Sequence, residues 1–140
     1  IKKNSLNDYF LLFDEINNDG NVELKFPNDE MIELYKLADC YCLPSIIEAM
    51  PLVLIEAMAA GIPIVTSDGP GCGDVVKNGY NGLSIEVGNI NKFADAIIKI
   101  YKEDSLKKKL IKNGKWEVYH KYEWDIITKK YINIYKNIVG

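Results

Sequence analysis

Between Val22 and Ile85, short apolar runs alternate with stretches of helical period, and no other feature of the sequence limits the fold as much. Val22 to Phe26 alternates apolar and charged residues, Cys40-Tyr41-Cys42-Leu43 reads as a short buried strand, and Ile62 to Thr66 and Leu83-Ser84-Ile85 read as two more. The first crossover is a helix from Asp29-Glu30 to about Ala38; the second runs from about Pro51 to Gly61, where glycine stops it. A glycine-rich loop, Asp68 through Gly73, separates the last two strands. Strands that run the same way need long crossovers, and continuous apolar strands need cover on both sides. The expected fold is therefore α/β, a mainly parallel sheet with helices on both faces.

Helical pattern also flanks this core. Leu6, Tyr9, Phe10, Phe13 and Ile16 share one face of a helix over residues 5–17, and from Ile90 onward the whole chain is helical. Phe93, Ala96, Ile97, Ile100 and Tyr101 form one apolar stripe, Leu106, Leu110 and Ile111 begin a second helix, and Trp124 to Ile138 repeats the period. No repeat or low-complexity linker breaks the sequence, so residues 1–140 are read as one domain with a helical end over 91–140. Ile1 opens the chain in place of methionine and no leader pattern follows, so a piece of a longer protein is expected.

Charge narrows the partners. Residues 1–90 carry 14 acids against 5 lysines, whereas residues 91–140 carry 12 lysines against 6 acids. All 17 cationic residues are lysines, so the guanidinium fork that reads phosphates and guanine edges is absent and no nucleic-acid partner is expected. The lysine-rich end is read as a solvated face; peripheral contact with an anionic membrane is the alternative, tested by salt-sensitive liposome binding. No apolar run reaches the length of a membrane-spanning helix. Cys40, Cys42 and Cys72 are read as free thiols in a reducing, cytoplasmic setting, with Cys40 and Cys42 on one side of their strand.

Several sites are set aside. Glu15 to Gly20 places oxygen ligands at alternate positions, but the twelfth position of such a calcium loop is Phe26 rather than glutamate. His120 has no serine or cysteine nucleophile turn beside it and reads as a surface or packed residue. No metal site is expected. Gly69, Gly71 and Gly73 could let the backbone approach a phosphate; an ordinary loop after a strand is the other reading.

The chemistry concentrates in Pro44 to Pro63. Glu48 precedes a helix and Glu56 lies within it, and that helix is apolar nearly all round. A carboxylate on or beside a buried surface needs donors. A vicinal diol offers two O–H groups to one carboxylate, while Glu48 stands beside the free amides of Ala49, Met50 and Leu52 at a helix entrance, where hydroxyls and phosphates bind. Spacing alone leaves open a second reading, in which Glu56 caps a neighbouring loop and Glu48 is solvated.

The wording of the segment adds to this. Pro44-Ser45, Glu48, a seven-residue gap and then Glu56-Ala57-Met58-Ala59-Ala60-Gly61-Ile62-Pro63-Ile64-Val65 closely resemble the E-x7-E region of the retaining GT-B glycosyltransferases of the group 1, or family 4, type. Glu33-Leu34-Tyr35, Ala38-Asp39, Asn78-Gly79-x-x-Gly82-Leu83, Tyr122-Glu123-Trp124 and Tyr135 are similar to further stretches of that family, so the likeness covers about residues 5–138. It implies the Rossmann-like C-terminal half of a GT-B fold.

The resemblance also implies roles. Glu56 accepts the ribose hydroxyls of a nucleotide-sugar donor; Glu48, the catalytic carboxylate, contacts the transferred sugar; and the backbone of Ala49, Met50, Pro51 and Leu52 meets sugar and distal phosphate. Pro27 and Asn28 match the place where the family meets the nucleobase, although Pro27 replaces the usual glycine. The family transfers with retention and without metal or other cofactor, to a glycan or lipid-linked acceptor, in cell-envelope or exopolysaccharide synthesis at the inner face of the plasma membrane. The acceptor domain and the Arg and Lys that clamp the diphosphate have no counterpart in these residues, so the isolated chain is expected to be inactive. Two alternatives stand beside this reading: a non-catalytic, nucleotide-sugar-binding relative, and an unrelated flavodoxin-like interaction domain.

Overall fold

A computed structural model describes residues 29–139. The expected helix over 5–17, the strand Val22 to Phe26, the loop at Glu15 to Gly20 and the candidate nucleobase residues Pro27 and Asn28 lie outside the described residues. The elements in order are α1 (Asp29–Leu37), β1 (Tyr41–Leu43), α2 (Leu52–Ala60), β2 (Ile64–Ser67), α3 (Cys72–Val75), β3 (Leu83–Ile85), α4 (Ile90–Lys102), α5 (Asp104–Glu117), a π-helical turn (Val118–Tyr122) and α6 (Trp124–Val139).

The three strands form one parallel sheet in the order β1-β2-β3, with Tyr41 opposite Ile64 and Val65 opposite Leu83. Every residue of the central strand β2 is buried, as a parallel strand covered on both sides must be. Alternate residues divide between two cores. Ile64 joins Leu54, Ala57 and Met58 of α2 with Cys72, Val75 and Val76 on one face, and Val65 joins Leu83, Ala96 and Ile100 of α4 and Leu110 of α5 on the other. Both faces are thus covered by helices, and the Rossmann-like architecture stands.

Four local expectations need correction. The stretch Cys40–Leu43 is not a fully buried strand: pairing begins at Tyr41, Tyr41 and Leu43 are half-buried and Cys42 is exposed, because β1 is the outer strand of the described sheet. Cys40 and Cys42 do share a side, their sulfurs 3.9 Å apart, and all three cysteines are free. The glycine-rich stretch is not loop throughout; its end winds into α3, which the periodicity was too short to reveal. Tyr101 leaves the apolar stripe of α4 and is 80% exposed, at the penultimate residue of the helix, while Ala96 and Ile100 carry the buried face. Glu56 is exposed rather than set against a buried surface, because α2 turns Leu54, Ala57 and Met58 inward.

The turn Asn78–Leu83 is secured from within. Asn81 is buried; its Nδ2 donates to the Val75 carbonyl at 3.0 Å and its Oδ1 accepts the Lys77 amide at 2.7 Å. Buried Glu117, at the end of α5, pairs with Lys121 and at 3.9 Å with Lys77, joining that turn to the C-terminal helices. His120 is an exposed residue whose ring stacks on Trp116 at 4.3 Å.

Candidate functional site

The loops that follow β1 and β2 meet at the carboxyl edge of the sheet, where open parallel sheets place their ligands. Two hydroxyls at the end of β2 draw the first loop in: Thr66 Oγ1 donates to the Leu43 carbonyl at 2.9 Å, and Ser67 Oγ donates to the Ser45 carbonyl. Both side chains are buried, so these bonds are shielded from competing water. The Asp68 amide donates to the Ile85 carbonyl at 2.8 Å and its carboxylate accepts the Val87 amide at 3.0 Å, which ties the end of β3 to the same edge.

Glu48 rests on this frame. Its amide donates to the Pro70 carbonyl at 3.0 Å, and its Oε1 accepts the Ser45 hydroxyl at 2.7 Å. The glycines of the second loop permit the contact. A Cβ on Gly69 would stand 2.2 Å from the Ile46 carbonyl oxygen, and one on Gly71 would stand 2.2 Å from the Glu48 carbonyl oxygen and 3.0 Å from the Glu48 Cβ. Gly69 and Gly71 are therefore where the Glu48 loop seats its backbone. Gly73 makes no such close approach, its nearest neighbour being the Asp68 carbonyl at 3.3 Å.

Glu56 lies one turn into α2. Tyr35 from α1 donates its phenol to Glu56 Oε2 at 3.2 Å, and this is its hydrogen-bond donor among the described residues. Burial, with Tyr41 and Glu56 adding, pushes the Tyr35 phenol above the ordinary tyrosine range, so it stays protonated as a donor. Glu56 is thus held by a side chain from another helix, and among the described residues it caps no loop.

Between the two glutamates the chain presents Ala49, Met50, Pro51 and Leu52. Ala49 is exposed, Met50 is 50% and Leu52 60% exposed, and Pro51 is buried. Pro51 stands at the N-cap of α2 with no side-chain cap; the Leu54 amide donates to the Pro51 carbonyl at 3.0 Å, and the amides of Leu52 and Val53 have no capping side chain. Pro51 itself has no N–H; over residues 49–52 only Ala49, Met50 and Leu52 can donate. Exposed Ile46 and Ile47 border Glu48 on its other side. The arrangement presents carboxylates for hydroxyls and amides for an anion along one edge.

Sequence reasoning passed over the supports. Ser45 carried a signal only in its nearness, three residues before Glu48, within reach of a side-chain hydrogen bond. Tyr35, 21 residues from Glu56, carried no local signal. Among the described residues no group of three or more His, Cys, Asp or Glu could hold a metal, and no helix is long and apolar enough to cross a membrane.

Comparison with known proteins is consistent across sequence and fold. Residues 3–116 match the family described as glycosyl transferases group 1. The chain is 36% identical over 116 residues to an uncharacterized glycosyltransferase of Methanocaldococcus jannaschii, covering 82% of this chain and 30% of that protein. It is 30% identical over 125 residues to the N,N'-diacetylbacillosaminyl-diphospho-undecaprenol alpha-1,3-N-acetylgalactosaminyltransferase of Campylobacter jejuni, covering 89% and 33%. Anabaena HepE, crystallised with UDP-glucose, superposes with a TM-score of 0.70 at 20% identity over 75% of this chain and 29% of that one, a likeness of fold. The chain spans about a third of the length of the relatives it matches.

Proposed function

The chain belongs to the group 1 glycosyltransferases, and from that premise we propose that it is the donor-binding part of an enzyme that moves a sugar from a nucleotide-sugar to a glycan or lipid-linked acceptor with retention. The observation that carries this is the pair Glu48 and Glu56, the first held by Ser45 of its own loop beyond β1 and the second by Tyr35 of α1, with helix amides that lack a side-chain cap between them. A carboxylate that is exposed yet oriented is suited to accept ligand hydroxyls, because little reorganisation accompanies binding.

In this reading Glu56 takes the ribose diol and Glu48 takes hydroxyls of the transferred sugar. The amides of Ala49, Met50 and Leu52 face the sugar and the distal phosphate, where fixed dipoles meet charge that grows as the diphosphate departs. The acceptor oxygen bonds to the anomeric carbon on the face that the phosphate leaves, the carbon–phosphate oxygen bond breaks, and the acceptor's proton passes to the leaving phosphate. The nucleotide-sugar is substrate, and neither metal nor cofactor takes part. The Campylobacter relative is named for an undecaprenol-linked acceptor, and an acceptor of that class suits a lysine-rich helical end resting against an anionic membrane face. Acceptor binding and the diphosphate clamp belong to parts of the enzyme outside this third, so the chain alone binds donor without turnover.

The test is a ligand-observed NMR titration of the chain with UDP, GDP, ADP and their sugars, beside Glu56→Ala and Glu48→Gln. One nucleotide series should bind, Glu56→Ala should weaken nucleotide and nucleotide-sugar alike, and Glu48→Gln should weaken only the sugar-bearing ligands. Binding that ignores both substitutions would sink the assignment. Turnover by the 140-residue chain would refute its dependence on the rest of the enzyme.

A further inference from the structure

We propose that Tyr35 is a positioning residue of the donor site, fixing the Glu56 carboxylate so that the chain prefers a vicinal diol; this rests on the reading of Glu56 given above. The geometry separates the two residues' roles. Glu56 is exposed on α2, where a flexible side chain in water samples several rotamers. Tyr35 is not free in this way. Its ring stacks on Tyr41 of β1, with centroids 5.7 Å apart and planes at 26°, and both rings pack against the core beneath α2. A phenol fixed by α1 and β1 therefore reaches a carboxylate carried by α2 at 3.2 Å.

The consequence follows from counting acceptor sites. An ionised carboxylate offers about four lone-pair directions, and one phenol on Oε2 occupies one of them. The carboxylate plane is then set, while Oε1 and the remaining direction on Oε2 stay open to two further O–H groups. Two donors on adjacent carbons of a furanose meet that demand; a ligand with none leaves the oriented carboxylate without gain. Tyr35 thus withholds one rotamer's worth of entropy from the binding step, and only for ligands that use Glu56.

The experiment titrates the chain with UDP, GDP and ADP, each beside its 2′,3′-dideoxy form, for wild type, Tyr35→Phe, Glu56→Ala and the double variant. Phenylalanine keeps the ring, its stack and its burial and removes only the hydroxyl. Tyr35→Phe should weaken the preferred ribonucleotide about threefold to tenfold, leave the dideoxy form unchanged, and add nothing in the Glu56→Ala background. Equal weakening of both forms would mean that Tyr35 merely ties α1 to α2, and no weakening would mean that the phenol does not matter; either overturns the inference. Loss of ribose preference in Glu56→Ala but not in Tyr35→Phe overturns this inference alone. A wild-type chain with no ribose preference overturns it together with the reading of Glu56.

Discussion

Replacing Gly71 by alanine would put a methyl group where the backbone of Glu48 already runs. The residue has φ +80° and ψ −51°, a conformation that costs a side-chain-bearing residue about 1–3 kcal/mol. The new Cβ would lie 2.2 Å from the Glu48 carbonyl oxygen and 2.7 Å from its carbon. Neither atom belongs to a flexible side-chain end, so the Glu48 loop has to move. Movement loosens the 3.0 Å bond from the Glu48 amide to the Pro70 carbonyl, worth about 1 kcal/mol. Together these predict that Gly71→Ala lowers the stability of the chain by about 2–4 kcal/mol. Gly79→Ala is the control: φ is +71° there too, but nothing stands within 4 Å of the new methyl, so it carries backbone strain alone, about 1–2 kcal/mol. Urea midpoints at unchanged slope measure both. Equal losses in the two variants would refute the argument that Gly71 seats the Glu48 loop.

Two other outcomes are expected. Asn81→Ala strips partners from the buried Val75 carbonyl and Lys77 amide and should cost about 2–4 kcal/mol by the same urea measurement; a loss under about 1 kcal/mol would show that water replaces the side chain. Among the cysteines, Cys42 should react first with iodoacetamide, and at a lower pH than an ordinary thiol. The Cys40 sulfur, 3.9 Å away, holds the exposed Cys42 thiol below its usual range, whereas Cys40 is pushed up and Cys72 is fully buried. Mass-resolved labelling across pH decides this, and Cys40→Ala should move the onset for Cys42 back upward.

The alternation of short apolar runs with helical stretches was enough to dictate a parallel sheet with helices on both faces, because strand direction follows from crossover length and burial from residue type. It also placed β1, α2, β2 and β3 to within a residue or two of where they stand. Glu48 and Glu56 were legible as chemistry for a local reason: carboxylates in an apolar helix and at its entrance stand out against their neighbours. Which way Glu56 points was not legible, since α2 is apolar on nearly every side and only its packing on β1, β2 and the C-terminal helices decides which residues turn inward. Nor could the sequence assign the Gly69–Gly71 loop to the backbone of residues 46–48, or Tyr35 to Glu56. Periodicity and propensity act over a few residues along the chain, whereas these contacts join segments that are brought together only by the register of β1 on β2 and the crossovers that return to it. The candidate carboxylates and amides are written in the sequence; the supports that orient them exist only once the sheet has formed.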